Sequence, residues 1–217
     1  MYPVRVTAVA GHAVVLGVVR LACDASPGLV LTGEATTVPD AEALIASDPP
    51  DVVVVDLDMR DSRGFIAAIR GDGFAGEILV LSDRADGGSV LSAMRAGADG
   101  YLVKASGLRA VGSALLRVAH GERVLDPQLE RSAADELRRV ARQAREGTDV
   151  MSSLTPREQE VLALLAEGAT MQQIGRRLGI SPRTVETHVG KLYRKLGVRT
   201  RVQAVARAAS LRLIELP

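Results

Sequence analysis

Apolar and polar positions follow two alternating periods along roughly the first 120 residues. Short runs rich in Val, Leu and Ile recur, and segments with apolar residues at helical spacing separate them. The strand-like runs are Val4–Ala10, Val30–Ala35, Asp51–Asp56, Glu77–Leu81 and Gly100–Val103. The helix-like segments are Ala13–Cys23, Asp40–Ser47, Gly64–Arg70, Ser89–Ala96 and Gly107–His120. Because each parallel crossover needs a covering helix, this alternation predicts an α/β doubly wound sheet of five parallel strands.

Polar side chains follow three of these predicted strands directly. Asp56 ends the third strand, Ser82 follows the fourth and Lys104 follows the fifth. In open parallel sheets, functional groups gather at the carboxyl ends of strands. A carboxylate, a hydroxyl and an ammonium at one edge could bind a phosphoryl group. Ordinary strand-end polarity is the alternative interpretation.

The last third of the chain has a helical pattern with strong start signals. Thr155, Pro156 and Glu158 form a predicted N-cap, first position and capping box. A second helix is predicted from about Met171 to Leu178, and Ser181-Pro182 begins a third. Two helices joined by a tight turn containing glycine predict a helix-turn-helix from about Met171 to Gly190.

The third helix has two different faces. Val185, Val189, Leu192 and Leu196 form a stripe that we expect to be buried. A second stripe with the same spacing lies two residues earlier, which is about 200° of rotation, so we expect it to face away from the core. Its members are Arg183, Thr187, Gly190 and Arg194.

Charge supports a nucleic-acid partner for this exposed face. The whole chain carries +1, but residues 1–125 sum to −4 and residues 151–217 to +6. A basic C-terminal part predicts binding to double-stranded DNA, whereas a charged face directed at solvent is the alternative. The residues expected to contact phosphates are Ser181, Arg183, Thr184, Lys191, Arg194 and Lys195. Glu186 and Thr187 are expected to read base edges.

The predicted domains are residues 1–121, a partly helical linker at 122–150 and a DNA-binding domain at 151–217. Within the linker, Asp126-Pro127 predicts a helix start, and Glu146-Gly147-Thr148-Asp149 predicts a flexible hinge. We therefore expect the linker to connect two folded domains through a flexible hinge.

Composition excludes several classes of protein. The single cysteine, Cys23, excludes an intrachain disulfide and a multi-cysteine zinc site. No apolar run approaches the roughly 20 residues that span a bilayer, and no signal peptide is evident, so we expect a cytoplasmic protein without a membrane partner. No nucleophile–base pair, metal cluster or phosphate loop is evident. We therefore expect no enzyme activity, no cofactor and no bound metal.

The motifs VVVVDLDMRDSRG, LVLSD and ADGYLVK resemble the receiver domain of NarL/FixJ-class response regulators. The resemblance implies a CheY-like, flavodoxin-like receiver with Asp56 as phosphoacceptor. It also implies that Ser82 reports phosphorylation and that Lys104 pairs with the phosphate.

The segments EQEVLALLAEG, IGRRLGISPRTVETHV and KLYRKLGVRTRVQAV resemble the LuxR-type helix-turn-helix, an all-α domain of four helices. That resemblance implies dimerisation through the last helix, which begins at Thr200. Its expected seam consists of Ala204, Ala208 and Leu211.

One departure from the receiver pattern concerns magnesium. Receivers of this family carry an acidic pair after the first strand, where this chain has Ala10 and Gly11. Mg²⁺ needs near-octahedral oxygen ligands and neutralises charge in phosphoryl transfer, so we expect their loss to be severe. Asp58 and Asp61 are nearby in sequence but are expected to lie on the wrong loop. The sequence therefore predicts a receiver that Mg²⁺-dependent phosphorylation does not switch.

The function predicted from these features is a dimeric, sequence-specific DNA-binding transcriptional regulator with an atypical receiver. One alternative is a conventional response regulator that a sensor kinase phosphorylates on Asp56. Another is a receiver that senses a small molecule or forms a heterodimer with a related regulator. The last arrangement resembles that of atypical orphan developmental and antibiotic regulators of actinobacteria.

Overall fold

The computed structural model describes residues 2–214, and it divides the chain into two compact units, Met1–Leu137 and Arg138–Pro217. No helix within residues 2–214 is long and apolar enough to cross a membrane.

The first unit contains a parallel sheet whose strands lie in the order β2-β1-β3-β4-β5-β6. The strands are β1 Val4–Val9, β2 Leu29–Ala35, β3 Val52–Asp56, β4 Glu77–Ser82, β5 Gly100–Val103 and β6 Val124–Leu125. The helices between them are α1 Ala13–Asp24, α2 Val38–Ser47, α3 Ser62–Gly71, α4 Gly87–Ala96 and α5 Leu108–Ala119. The predicted doubly wound parallel fold is confirmed. The predicted number of five strands is wrong, because β6 pairs in parallel with β5 but is two residues long, too short to show a period of its own.

Both faces of the sheet are covered, as the continuous valine run predicts. All five residues of β3 are buried. Val53 and Val55 pack in a cluster with α2, α3 and α4, whereas Val52 and Val54 pack in a second cluster with α1 and α5. Because side chains alternate along a strand, this layering brings the ends of β3, β4 and β5 together at one edge.

The second unit is helical. Its helices are the later part of α6 Glu130–Ser153, then α7 Pro156–Ala166, α8 Met171–Leu178, α9 Pro182–Leu196 and α10 Arg201–Ser210. Thr155 and Glu158 form the predicted capping box at α7, and Thr170 and Gln173 form a second one at α8. Ser181 caps α9 through Thr184 N. The predicted helix starts at Thr155 and Ser181 are therefore confirmed.

The predicted hinge in the linker is wrong. Residues 146–149 lie inside α6, which continues to Ser153. A Cβ on Gly147 would stand 2.6 Å from the carbonyl oxygen of Leu211, so this glycine permits a close helix contact. Glu146 also forms an ion pair with Arg207.

The predicted helix start at Asp126-Pro127 is only approximate, since Asp126 caps a short 3₁₀ turn at Pro127–Leu129 that precedes α6.

Candidate functional site

The structure brings together the three polar residues that follow the central strands. Asp56 ends β3, Ser82 ends β4, and Lys104 begins a short 3₁₀ turn after β5. The Lys104 Nζ atom lies 2.8 Å from Asp56 Oδ1. Asp56 and Ser82 are fully buried. The predicted cluster at the carboxyl edge of the sheet is therefore present as a geometric arrangement.

Lys104 is shared by more than one carboxylate. Its Nζ atom also lies 3.0 Å from Asp58 Oδ2 and 3.2 Å from Asp83 Oδ2. Burial lowers the pKa of Lys104, but the hydrogen bonds to Asp56 and Asp58 outweigh burial and raise the pKa above its ordinary value. The ammonium therefore stays charged and neutralises part of this acidic cluster.

Asp58 also belongs to this cluster, although it lies, as expected, on the loop after β3 and not on the loop after β1. The loop after β3 folds back, and Asp56 Oδ1 accepts a hydrogen bond from Asp58 N at 3.0 Å. Asp58 Oδ2 in turn accepts from Asp83 N at 2.8 Å. Burial raises the pKa of Asp58, but the bond from Asp83 and the contact with Lys104 outweigh it, so the pKa is lowered. The ability of aspartate to bond the backbone two residues onward is the sequence signal that could have indicated this turn.

Sequence reasoning also missed Tyr101, which lies on β5 beside the cluster. Its ring is fully buried, and its hydroxyl donates to the Arg84 carbonyl oxygen at 2.8 Å. Arg84 N donates to Ser82 Oγ at 3.1 Å. These bonds connect the loop after β4 to both Ser82 and β5. A tyrosine three residues before Lys104, in a sequence with few aromatics, was the available signal.

The position of the missing acidic pair is apolar. Ala10 is buried in the cluster beneath α1 and α5. Gly11 is exposed, and a Cβ on it would lie in ordinary contact with Met59 Cγ, at 3.5 Å. Asp56 Oδ2 is buried and has no hydrogen-bond partner among the described residues.

These residues do not fit a magnesium ion. Mg²⁺ keeps several waters in its near-octahedral shell but is held through carboxylates, and here Ala10 and Gly11 offer no side-chain oxygen beside the unengaged Oδ2 of Asp56. Asp58 carries two oxygens, but Oδ2 already contacts Lys104 Nζ and Asp83 N, and Oδ1 lies 3.4 Å from Ser82 Oγ. Among residues 2–214, no group of three or more His, Cys, Asp or Glu side chains is arranged to hold a metal.

The second predicted site is the helix-turn-helix of α8 and α9. Gly179 turns the chain in the left-handed conformation with φ of 67°, which favours glycine. A Cβ on Gly175 would lie 2.7 Å from the Ile180 carbonyl oxygen, so a close approach fixes the angle between the helices. The two expected faces of α9 are present. Val185, Val189, Leu192 and Leu196 are buried, and Arg183, Thr187, Gly190 and Arg194 are exposed.

The exposed face of α9 combines cations with short polar groups. Glu186 and Lys191 are exposed, as are Ser181 and Thr184 at the start of the helix. Ser181 Oγ accepts from Thr184 N at 3.1 Å, and Thr187 Oγ1 donates to the Arg183 carbonyl at 3.1 Å. A Cβ on Gly190 would meet nothing within 4 Å, so the centre of the face is open.

Lys195 has a different partner from the phosphate predicted for it. Its Nζ atom lies 2.6 Å from Glu158 Oε2 and 2.6 Å from the Ser153 carbonyl oxygen. Glu158 is 2% exposed, and its carboxylate also accepts from Thr155 N. The ammonium therefore ties α9 to the start of α7 and to the end of α6.

The expected dimer seam is contradicted for its three apolar members. Ala204 and Ala208 are fully buried in the core of their own unit, and Leu211 is buried with 4% exposed. Thr200 caps α10 through Gln203 N. Apolar spacing identifies a buried face, but it does not tell whether the same chain or another covers it. The large apolar side chain that α10 exposes is Val202, which is 78% exposed.

Comparison with known families and proteins agrees with this architecture. Residues 6–115 match the response regulator receiver domain, and residues 152–208 match the bacterial regulatory proteins of the luxR family. The probable transcriptional regulatory protein NarL of Mycobacterium tuberculosis is 36% identical over 201 residues, covering 92% of this chain and 90% of that protein. The nitrate/nitrite response regulator NarL of Escherichia coli is 32% identical over 204 residues, covering 93% of each chain.

Solved structures show the same fold. The response regulator ChrA of a heme-sensing two-component system aligns with a TM-score of 0.53 and 30% identity, covering 99% of this chain and all of ChrA. RcsB of Salmonella typhimurium aligns with a TM-score of 0.60 at 20% identity, covering 96% of this chain and 99% of RcsB. The chain belongs to the NarL-type response regulators of two-component systems, DNA-binding transcriptional regulators that join a receiver domain to a LuxR-family helix-turn-helix domain.

Proposed function

We propose that this regulator binds specific DNA sites as a dimer and that its receiver does not depend on Mg²⁺-dependent phosphorylation of Asp56. The observation that carries the proposal is the contact of Lys104 with Asp56 and Asp58, next to Ala10 and Gly11 in place of an acidic pair. The cation beside the Asp56 carboxylate is thus supplied by the chain itself.

Electrostatics supports this view of the receiver. A receiver that transfers a phosphoryl group needs a metal to neutralise the charge that develops on the phosphoryl oxygens. Asp58 could offer Oδ2 to a metal only by leaving Lys104 and Asp83 N, which now contact that oxygen. In this proposal the ammonium of Lys104 takes the place of a metal, and the receiver acts as a fixed scaffold.

The exposed face of α9 supports the DNA-binding part of the proposal. Arg183, Lys191 and Arg194 present cations from one helix, and long cationic side chains neutralise phosphates. Glu186 can accept from cytosine N4, and Thr187 can place its methyl group against thymine. The net charge of +6 over residues 151–217 adds sequence-independent attraction. Lys195 is left out of the contact set because Glu158 holds it.

The proposed dimer suits the geometry of DNA. A twofold dimer presents two recognition helices to half-sites about one helical turn, or 34 Å, apart. In place of the contradicted seam, we propose the exposed side of α10, on which Val202 and Ala206 lie. The RcsB relative has been solved in complex with DNA and as dimers bound to DNA, which supports this mode for the fold. We also propose a cytoplasmic regulator without enzyme activity of its own.

Conventional phosphorylation remains the second candidate. Asp56, Ser82 and Lys104 are all present at the edge of the sheet, and Asp56 Oδ2 keeps one unengaged oxygen. This candidate requires a metal to bind without the acidic pair that Ala10 and Gly11 replace.

The proposed function is tested by selecting bound DNA from a random pool with the untreated full chain. The proposal expects an enriched site with two half-sites, bound by two chains without any phosphodonor. Recovery of random sequences alone would refute specific binding. Enrichment that requires a second, related regulator would replace the homodimer with a heterodimer.

A further inference from the structure

A cavity of about 380 Å³ lies in the receiver where β3 and β4 begin, at the edge of the sheet opposite the cluster around Asp56. The last turns of α2 and α3 form two of its sides, and the segment that leads from α3 into β4 forms a third. Pockets that bind small molecules usually measure about 300–1,000 Å³. The cavity is therefore large enough for one small organic molecule.

Part of the cavity wall is apolar. Ile45 of α2 and Ile69 of α3 line the cavity, and both side chains are buried in the receiver core. Phe74 adds an aromatic ring, which is closely packed because a Cβ on Gly76 would lie 2.5 Å from its Cζ atom. The guanidinium of Arg70 lies 5.8 Å from the centroid of the same ring. The apolar body of a ligand would therefore leave water for a surface that is already formed.

The rim of the cavity is acidic. Glu42 of α2 and Asp72 at the end of α3 line the cavity, and both residues are exposed. Within residues 2–214, neither carboxylate forms an ion pair or a hydrogen bond with another side chain. Because opposite charges attract and like charges repel, two unpaired carboxylates at one opening favour a ligand group with positive charge.

Two arginines close to the cavity do not balance these carboxylates. Arg5 forms an ion pair with Asp48, and its Nη1 atom donates to the Pro49 carbonyl oxygen at 3.2 Å. Arg70 forms an ion pair with Asp99, on the side of the sheet edge away from the rim carboxylates. Both guanidinium groups therefore have carboxylate partners of their own, and the rim keeps its negative charge.

The backbones of the two helices add to this negative potential. Both α2 and α3 end at the cavity, and the carbonyl end of a helix carries a partial negative charge. The last turn of α2 contains no basic residue. The basic residue in the last turn of α3 is Arg70, which Asp99 engages. A cation at the rim would thus be close to two helix C-termini as well as two carboxylates.

We propose that this cavity binds a small organic cation, a protonated amine carried on an aromatic or aliphatic body. The apolar body packs on Ile45, Ile69 and Phe74, and the ammonium lies between Glu42 and Asp72. The cavity is separate from the phosphoacceptor cluster and from α9, so the proposal does not depend on the proposed DNA-binding function.

Three indole compounds of similar shape test the site in the full chain. Tryptamine is a cation near neutral pH, tryptophol is neutral and indole-3-acetate is an anion. Because the chain contains no Trp, selectively excited indole fluorescence reports the ligand alone. The fluorescence anisotropy of tryptamine should rise and saturate at one molecule per chain. Tryptophol should bind at least roughly tenfold more weakly, and indole-3-acetate more weakly still, because the rim attracts only the cation.

Matched substitutions locate the binding within the cavity. Glu42→Gln and Asp72→Asn should each weaken tryptamine binding roughly threefold. Ala46→Phe fills the cavity from an exposed position on α2 and should abolish binding. As controls, Asp24→Asn removes an exposed charge across the sheet, and Ala43→Phe adds the same ring to α2 outside the cavity. Both controls should bind tryptamine like the wild type, and circular dichroism checks that every variant is folded.

Absence of saturable tryptamine binding, or equal binding of all three compounds, would overturn the site for an organic cation. An equal loss of affinity in Asp24→Asn and Glu42→Gln would also overturn it, because the attraction would then come from the overall charge of the receiver. Binding that survived Ala46→Phe would place the ligand elsewhere and refute the proposed cavity. None of these results would affect the proposed DNA binding, which is measured separately on a selected site.

Discussion

The ammonium nitrogen of Lys195 lies 2.6 Å from the carboxylate of Glu158, which is almost completely buried at the start of α7. The same nitrogen contacts the Ser153 carbonyl oxygen at the end of α6. The sequence predicts that Lys195 contacts DNA, but in the structure Lys195 holds α9 against α6 and α7. Its effects should appear in stability first and in DNA affinity only through stability.

Replacing Lys195 by Met removes the partner of a buried carboxylate. Because an uncompensated buried charge is costly, we expect the free energy of unfolding of the C-terminal unit to fall by about 2 kcal/mol. Denaturant unfolding of the full chain measures this change. The DNA affinity of the molecules that remain folded should change much less than it does in Arg194→Ala. A loss of affinity equal to that of Arg194→Ala, without a loss of stability, would show that Lys195 contacts DNA after all.

The ion pair between Lys195 and Glu158 should make the free energy of unfolding depend on pH in the acidic range. Burial raises the pKa of Glu158, but the bonds from Lys195 and Thr155 outweigh it, so the folded-state pKa lies below the ordinary 4.5. A lowered carboxyl pKa stabilises the fold above the unfolded value, and this contribution is lost as pH falls through the folded value. The difference in unfolding free energy between the wild type and Glu158→Gln should therefore be full near pH 7 and shrink below about pH 4.5. A difference that grew on acidification would contradict the assigned pairing.

Substitutions on the exposed face of α9 should affect DNA affinity and base preference separately. Lys191→Ala should weaken binding to all DNA sequences and lower the salt slope by about one, because one phosphate contact is lost. Glu186→Gln should instead change the preferred base at one position, with an effect of about 1–3 kcal/mol. Binding titrations at several salt concentrations and repeated site selection measure these two effects. If both variants behaved as the wild type, α9 would not face the groove as proposed.

Gly87 should be needed for the contact between α4 and α6. Alanine normally stabilises a helix relative to glycine, but a Cβ here would overlap with the Ser132 backbone oxygen. We expect Gly87→Ala to destabilise the receiver by about 1–3 kcal/mol. Gly88→Ala is the matched control, since its Cβ would meet only the side chain of Asp86 at 3.1 Å. Thermal unfolding that moved equally for both variants would indicate that α6 shifts aside freely.

Features that lie within a single helix or strand could be predicted from the sequence. The valine run of β3 predicts two-sided burial, and the Thr155–Glu158 box predicts the start of α7, because both depend on neighbours within a few residues. Features that depend on distant partners were missed. Glu158 is the partner of Lys195 across 37 residues, and the α10 stripe is covered by its own domain rather than by a second chain. Gly147 resembles a hinge in sequence, but Leu211 makes it a packing position.

The same difference between local and distant partners applies to the site at the edge of the sheet. Asp56, Ser82 and Lys104 could be placed from strand ends alone, since parallel strands end at one edge. Asp58 was not placed there, because its position depends on the distant Asp83 N as well as on the turn at Asp56. Because Asp58 joins the cluster, Lys104 contacts a second carboxylate besides Asp56.

Phosphoryl incorporation at Asp56 tests the account most directly. The full chain is incubated with acetyl phosphate and Mg²⁺, its intact mass is measured, and its affinity for the selected DNA site is compared with that of the untreated chain. Asp56→Asn defines the background, and Gly11→Asp, which restores one carboxylate where a Cβ has ordinary space, defines the response of a partly repaired site. We predict a wild-type mass equal to the background and an unchanged DNA affinity. Stoichiometric phosphorylation of the wild type, accompanied by tighter DNA binding, would contradict the account.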